Sequence, residues 1–337
     1  MTAADSQPPV GIGILATGTI ASAFVADLAH VPDATAVAVG SRRQDSADAF
    51  ARRHGIDSAY GSYEQLLADD AVELVYVATP HGLHEQNVLD CLDAGKAVLC
   101  EKPLGVTAAQ AERMVAAART RGLFLAEAMW MRCNPTLRRM VDGVRAGWVS
   151  DVSTLNADLS FVGSRDPAGR LHDPALGASA LLDVGIYPLT FAAWLLGEPA
   201  EVVGAAAIDE RGVDDSAALS LTFPAGQVAS LSCSQVSWGD CRASVAGTEG
   251  RLDVAPRMNV PPYVTRYGQD WPAPVVETVA EPLLGSGLAH EAIEVARCLR
   301  AGETESPLLP LDDSLTVARL LDRARAACGV RLPADNP

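Results

Sequence analysis

The sequence predicts an α/β protein in which a doubly wound parallel sheet is followed by an α+β domain. Up to about Met131, short apolar runs alternate with helical patterns, which is the order that builds a parallel sheet. Beyond that point strand patterns follow one another, and short turns such as Pro224-Ala225-Gly226 favour antiparallel pairing. The length of 337 residues fits two domains, which we place at residues 1–131 and 132–337.

The elements of the first half follow from their apolar spacing and their end signals. Ser62 and Thr107 each precede a glutamine by three residues, which is the spacing of a capping box at a helix start. Gly95 and Gly122 lie where helices are expected to end. The predicted strands are 10–15, 35–40, 73–78 and 97–100, with one more before residue 130, and the predicted helices are 20–30, 46–54 and 83–94.

The second half contains one strongly apolar helix, predicted over residues 178–196, among a series of strands. The strands are expected at 149–162, 202–208, 217–223, 227–235 and 243–246, and further helices at 135–146, 288–300 and 313–328. The segment 256–274 is rich in proline and aromatic residues, and we expect an ordered excursion rather than a linker.

Composition indicates a globular chain whose partner is a small molecule. Hydrophobic residues make up 49% and charged residues 20% of the chain. The formal net charge of -16 comes without a basic stripe, so nucleic acid and anionic membranes are not expected partners. The seven cysteines form no C-x-x-C pair, the N-terminal residues lack the features of a signal peptide, and the histidines show no zinc spacing. We therefore expect a cytoplasmic protein with reduced cysteines and no bound metal.

The first strand leads into a turn with the spacing of a dinucleotide-binding loop. Two registers compete; Gly11 and Gly13 are expected within the strand, so the better register is Ala16-x-Gly18-x-x-Ala21. A small residue there lets backbone amides approach a pyrophosphate at a helix N-terminus. The expected cofactor contacts are Ala16, Thr17, Gly18, Thr19 and Ile20. The alternative is a strand-to-helix turn that binds no ligand.

The end of the second strand indicates which dinucleotide is bound. An NAD site usually has an acidic residue there for the ribose hydroxyls, whereas this chain has Ser41, Arg42 and Arg43. Two guanidinium groups and a hydroxyl suit a 2′-phosphate, so NADP is preferred and NAD remains possible. The alternative is that both arginines are solvated residues ahead of a helix.

Two further positions carry chemistry. Lys102, in the run Glu101-Lys102-Pro103, follows a strand at the end of the sheet where ligands bind, and we expect a cis Lys102–Pro103 peptide that aims the lysine into the cleft. Asp183 and Tyr187 lie four residues apart on the apolar helix and therefore on one face. A carboxylate among leucines must be paired or functional, because burying it unpaired costs several kcal/mol.

Taken together, these motifs and the run Thr79-Pro80-His81-x-x-His84 resemble the Gfo/Idh/MocA oxidoreductase family, which includes glucose-fructose oxidoreductase and inositol dehydrogenase. The resemblance spans most of the chain. Within the family, segments 59–64, 95–103 and 121–128 are similar to the dimeric dihydrodiol dehydrogenases and the related NADP-dependent D-xylose dehydrogenases.

The resemblance implies an N-terminal Rossmann domain and a C-terminal domain with a large, mostly antiparallel open sheet that pairs with another subunit. A homodimer or higher homo-oligomer is therefore expected. It also implies that Tyr187 is the general acid/base, that Lys102 is its partner, and that Asp183 orients the substrate or Lys102. The residues that correspond to the family's nicotinamide contacts are Thr79, Pro80 and His84, and Glu101 and Lys102 are further expected cofactor contacts.

The predicted function is hydride transfer between NADP and a secondary alcohol of a vicinal diol, either a trans-dihydrodiol or a cyclic sugar. We expect the Lys102 ammonium and the oxidised nicotinamide to lower the pKa of Tyr187 from about 10 by about two units. Trp130, Arg132 and Phe161 are expected to wall the substrate pocket, or else to pack at a domain interface. The alternatives are a non-catalytic NADP sensor and, with less support from the arginines, an NAD-dependent glycosidase.

Overall fold

The computed structural model describes residues 7–164, 166 and 169–335. Its first sheet has six parallel strands in the order β3-β2-β1-β4-β5-β6. The strands are β1 (Val10–Leu15), β2 (Ala34–Gly40), β3 (Ser58–Tyr60), β4 (Leu74–Val77), β5 (Ala97–Glu101) and β6 (Leu125–Ala128). This is the doubly wound parallel sheet that the sequence predicts, and its carboxyl edge carries the loops of the functional site.

Five helices connect these strands, and the predicted end signals are confirmed. The helices are α1 (Thr19–Asp27), α2 (Gln44–His54), α3 (Tyr63–Leu67), α4 (His84–Asp93) and α5 (Ala108–Arg121). The Ser62 hydroxyl caps α3 and the Thr107 hydroxyl caps α5, each accepting a backbone hydrogen bond of 3.3 Å. Helix α5 ends at Gly122, whose φ of 62° places it in the left-handed region that glycine tolerates best.

The second sheet has eight strands in the order β14-β13-β12-β11-β7-β10-β9-β8, and all neighbours are antiparallel except β7 and β10. Its strands are β7 (Val152–Ser160), β8 (Glu201–Ile208), β9 (Asp214–Thr222), β10 (Val228–Ser234), β11 (Ala243–Gly247), β12 (Gly250–Val254), β13 (Val264–Tyr267) and β14 (Val275–Val279). The open, mostly antiparallel sheet that the family resemblance implies is therefore confirmed.

Four helices complete this half: α6 (Pro135–Arg145), α7 (Ile186–Leu196), α8 (Ala289–Arg300) and α9 (Leu311–Cys328). Helix α7 packs on β7 and β10, and its buried side chains belong to a hydrophobic core that includes residues of both sheets. The apolar segment Pro174–Leu196 is long enough to cross a membrane, but 78% of its most apolar window is buried inside the protein, as expected for a core helix. Helix α9 contacts both halves, so the boundary at residues 131 and 132 stays a prediction.

The structure corrects the predicted elements in two places. Strands β3, β12, β13 and β14 were not predicted, and β13 lies inside the proposed excursion at 256–274. These strands have three to five residues and are partly exposed, so their sequences lack a clear apolar alternation. The predicted helix at 178–196 begins with a π-helical turn, Leu181–Gly185, before α7 starts. Such turns are frequent at functional sites.

Candidate active site

The turn after β1 has the backbone of a phosphate-binding loop. Gly11 and Gly13 lie within β1, as the sequence predicts, and a Cβ on Gly11 would lie 2.1 Å from the Ala71 carbonyl oxygen. Ala16 takes a φ of 97°, which turns the chain towards α1. A Cβ on Gly18 would meet no atom within 4 Å, and no side chain caps the first turn of α1. The backbone amides at the start of α1 therefore lie next to open space, and such amides can bind a pyrophosphate.

Arg42 and Arg43 lie exposed at the end of β2, next to the buried Ser41. Within the part of the chain that the structure describes, neither guanidinium group has a hydrogen bond or an ion pair. The exposed arginines of α5 and α9, by contrast, pair with carboxylates. Two unpaired cations beside the dinucleotide turn fit the phosphate of NADP, whose negative charge they would neutralise.

Lys102 lies at the carboxyl end of β5 and reaches towards the π turn that precedes α7. The Lys102–Pro103 peptide is cis, as predicted. Its Nζ donates to the backbone oxygen of Asp183 at 2.5 Å and lies 3.4 Å from Oδ1 of the same residue. The same Nζ is 5.0 Å from the centre of the Tyr187 ring. Burial lowers the pKa of Lys102, but the nearby negative charges outweigh burial and raise it, so the group remains an ammonium.

Tyr187 is buried at the start of α7 with its hydroxyl in a defined hydrogen bond. Trp130 Nε1 donates to Tyr187 Oη at 2.8 Å, which leaves the phenolic proton available to a second partner. Burial raises the pKa of Tyr187 to about 12, even though the Lys102 ammonium lowers it. The predicted lowering of this pKa by Lys102 together with the oxidised nicotinamide stays a prediction; in the chain alone, the desolvation of a nearly fully buried phenolate exceeds the attraction of one ammonium group.

Asp183 lies in the π turn, and two cationic side chains and one histidine surround its carboxylate. Its carboxylate is 4% exposed and lies 3.2 Å from Arg170, 3.4 Å from Lys102 and 3.6 Å from Nε2 of His81. Burial opposes ionisation, but Lys102 and Arg170 outweigh it and hold the pKa of Asp183 well below its usual range. The sequence-based expectation that this buried carboxylate is paired is confirmed.

Sequence reasoning did not assign a role to His81 or Arg170. His81 was available, because it lies in the motif after β4, directly after the predicted contact Pro80. Arg170 begins a short 3-10 helical turn, Arg170–His172, between β7 and the π turn, and no local sequence pattern connects it with Asp183. Only the path of the chain brings this arginine to the site.

Three residues predicted to contact the cofactor have side-chain hydrogen-bond partners inside the protein, and their cofactor contacts stay predictions. His84 is fully buried, and its ring nitrogens lie 2.8 Å from the Pro103 carbonyl oxygen and 2.9 Å from that of Thr79. Glu101 accepts from the Tyr76 hydroxyl and from the backbone amide of Lys102. The Thr79 hydroxyl accepts from Asn87 at 2.9 Å. These contacts fix the two loops that frame Lys102. Pro80 is partly exposed, and its cofactor contact also stays a prediction.

The three predicted wall residues have different surroundings. Trp130 lies at the site, bonded to Tyr187. Arg132 does not face the site, because it pairs with Asp313 of α9 at 2.6 Å and stacks on Trp194. Phe161 is half-buried just after β7, and its wall role stays a prediction. Among the residues that the structure describes, no cluster of three or more metal-ligating side chains is found.

Comparison with known proteins identifies the family. Residues 10–128 match the model of the oxidoreductase family with an NAD-binding Rossmann fold, and residues 136–253 match the GFO/IDH/MocA C-terminal domain. Trans-1,2-dihydrobenzene-1,2-diol dehydrogenase of Mus musculus is 38% identical over 96% of this chain and 98% of its own length. The Homo sapiens protein of that name gives the same values. The chain belongs to the Gfo/Idh/MocA family.

Solved structures of Gfo/Idh/MocA oxidoreductases agree with this assignment. KijD10, a 3-ketoreductase from Actinomadura kijaniata in complex with NADP and TDP-benzene, superimposes with a TM-score of 0.85 at 30% identity, covering 95% of this chain and 98% of KijD10. An aldose-aldose oxidoreductase from Caulobacter crescentus gives a TM-score of 0.84 at 25% identity, with coverage of 95% and 98%. The protein is therefore an NAD(P)-dependent oxidoreductase that acts on CH–OH groups, and NADP fits its site.

Proposed function

We propose that this protein is an NADP-dependent dehydrogenase that oxidises a secondary alcohol of a vicinal diol, either a trans-dihydrodiol or a cyclic sugar. The observation that carries the proposal is the buried Lys102–Tyr187 pair, with Nζ 5.0 Å from the ring centre, on the same sheet edge as the unpaired Arg42 and Arg43. The curated relatives named for a dihydrodiol and the structural neighbours named for sugars support the substrate class.

In the proposed proton transfer, one side chain accepts the proton and two others stabilise the ionised form of that acceptor. NADP, when bound, supplies the hydride acceptor at the carboxyl edge of the first sheet. Tyr187 Oη takes the hydroxyl proton of the alcohol, and returns one to a carbonyl in the reverse direction. Trp130 Nε1 holds Oη in place and stabilises its ionised form, and the Lys102 ammonium lowers the pKa of the phenol towards the working range.

The test is absorbance at the reduced-nicotinamide band with NADP or NAD and a panel of D-xylose, D-glucose, inositol and a trans-dihydrodiol. We expect turnover with NADP on at least one member and a loss of roughly 100-fold or more in Tyr187→Phe, the range for a removed general acid/base. Tyr267→Phe is the control, since Tyr267 lies in β13 of the second sheet and its ring packs against Arg251. Tight NADP binding without turnover of any member would contradict the proposal and favour the sensor.

We also propose a homodimer formed through the open face of the second sheet. Small side chains of neighbouring strands line a shallow groove there, among them Asn156, Ser220, Ser230 and Ser232. Val203 and Val228, 51% and 42% exposed, add apolar surface to the face. Light scattering should give twice the chain mass, and Ser230→Arg combined with Ser232→Arg should give monomers. A wild-type mass equal to one chain would contradict the dimer.

A further inference from the structure

Arg170 lies between β7 and α7 and contacts the cluster of Lys102, Asp183 and Tyr187, which we call the reacting end of the cleft. Its Nη1 and Nη2 atoms each lie 3.2 Å from Oδ1 of Asp183. The Arg170 side chain is 48% exposed whereas Asp183 is 4% exposed, so a partly solvated cation covers a buried carboxylate. The proton transfer proposed above assigns no part to Arg170.

Arg170 competes with Lys102 for the same oxygen atom. The Lys102 ammonium lies 3.4 Å from Oδ1 of Asp183, which is farther than either guanidinium nitrogen, and makes its short contact with the Asp183 backbone oxygen. Lys102 and Arg170 thus share the charge of the carboxylate, and Lys102 is also held by a neutral carbonyl, with its Nζ 5.0 Å from the centre of the Tyr187 ring. Because Arg170 takes a share of the carboxylate charge, more of the ammonium charge acts on the phenol.

We propose that Arg170 is a positioning residue that neutralises Asp183 and thereby keeps the Lys102 ammonium available to Tyr187. The inference rests on the proposed function of the Lys102–Tyr187 pair. Without Arg170, the Asp183 carboxylate would attract Lys102 more strongly and would itself oppose ionisation of Tyr187, because like charges raise the pKa of an acid.

Other ionisable groups face the same cluster from β4, from the loop and helix that follow it, and from β5 and β6. They are Tyr76, His81, His84, Glu101 and Glu127. Burial lowers the pKa of both histidines and raises the pKa of Tyr76, Glu101 and Glu127. Arg170 differs from all five because a guanidinium stays protonated throughout the accessible pH range.

The chain has two lysines, Lys96 and Lys102, which permits a test that needs no turnover. Lys96 Nζ donates to the carbonyl oxygens of Asp69 and Val72 at 2.8 and 2.9 Å, away from the cleft. Carbamylation by cyanate follows the fraction of unprotonated amine, so the ratio of Lys102 to Lys96 modification, read by peptide mass spectrometry at mildly alkaline pH, reports the Lys102 pKa. We expect the ratio to fall several-fold in Arg170→Met and to stay near wild type in Arg170→Lys. An unchanged or higher ratio in Arg170→Met overturns the inference.

The pH profile of alcohol oxidation supplies the second readout. We expect the rising limb of kcat in Arg170→Met to move to higher pH by about one unit, which is a tenfold loss at neutral pH that is recovered in alkali. Arg319→Met is the matched control, because Arg319 lies in α9, is 52% exposed and pairs with Glu112 of α5. An equal loss at every pH would indicate a merely structural role and reject the proposal. If the wild type turns over no substrate, the proposed function fails, and the carbamylation ratio still decides the role of Arg170.

Discussion

The two ends of the cleft differ in whether their positively charged side chains are paired. The dinucleotide end is the turn after β1 with Arg42 and Arg43, and the reacting end is the cluster of Lys102, Asp183 and Tyr187. Arg42 and Arg43 are exposed and, among the described residues, have no carboxylate partner. Lys102 is buried and Arg170 half-exposed, and both contact one buried carboxylate, Asp183. Unpaired surface cations are available to bind a phosphate, whereas cations that are already paired hold a fixed geometry. The dinucleotide end therefore contributes affinity for the cofactor phosphate, and the reacting end holds its side chains in a fixed orientation.

The largest effect on kcat is expected from replacing Lys102, and Lys96, the other lysine of the chain, provides the control. Lys102→Met removes the charge that favours ionisation of Tyr187, and we expect kcat to fall by roughly 100-fold or more, as for other participants in proton transfer. Lys96→Met removes two hydrogen bonds to backbone carbonyls, so it should lower the free energy of unfolding by about 1–3 kcal/mol without changing kcat. Steady-state kinetics and thermal melts of both variants check this. Equal kcat losses would show that the effect at Lys102 is not specific to the site.

Asp183→Asn tests whether the reacting end is held by its buried pairs. Removing one partner of a buried pair should lower the free energy of unfolding by about 3 kcal/mol. The folded pKa of Asp183 lies below its ordinary value of about 3.9, so its stabilisation is present above that pH and is lost as the pH falls.

Urea melts at neutral and acidic pH measure this contribution. The asparagine variant should lose the part of the acid dependence that Asp183 provides. Asp93→Asn is the control, because Asp93 is 63% exposed in its pair with Arg121 and should contribute at most about 1 kcal/mol. Wild-type and Asp183→Asn curves with the same acid dependence would refute the assignment.

A smaller effect is expected at the dinucleotide end. Replacing Arg42 and Arg43 together by alanine removes charge-assisted hydrogen bonds to the 2′-phosphate, and we expect NADP to bind roughly 10–100-fold more weakly while NAD binding is unchanged. Titration calorimetry with both cofactors checks this. Arg52→Ala with Arg53→Ala is the control, since these two arginines are also adjacent and exposed, at the other end of α2. A parallel loss of NAD affinity would argue against a phosphate contact.

The smallest effect concerns local helix structure beside the reacting end. Thr107→Ala removes the hydroxyl that caps α5 and should lower the free energy of unfolding by about 1 kcal/mol. Thr120→Ala, on an exposed position in the same helix, should be neutral or slightly stabilising because alanine has the higher helix propensity. Urea denaturation of both variants, with kcat unchanged, distinguishes a cap from a functional contact.

Local signals predicted the first sheet except for its three-residue strand β3. The alternation of apolar runs and helical patterns predicted its parallel sheet, and the spacings at Ser62 and Thr107 predicted two caps that the structure confirms. The turn at Ala16 and the position of Arg42 and Arg43 were also visible, because a dinucleotide loop is built from residues adjacent in sequence. The pattern failed at the short, partly exposed strands β12 to β14, where apolar spacing is weak.

The tertiary structure decided how the reacting end is assembled. Sequence identified Lys102, Asp183 and Tyr187 as residue types in informative positions, but not that Arg170 shares the carboxylate or that Arg132 turns away to Asp313. Nor could sequence give the balance between desolvation and the attraction of one ammonium group that sets the pKa of Tyr187 in the chain alone. Sequence motifs identify residues that are close together in the chain. The pKa of a buried group depends on all its neighbours in space, and only folding brings these neighbours together.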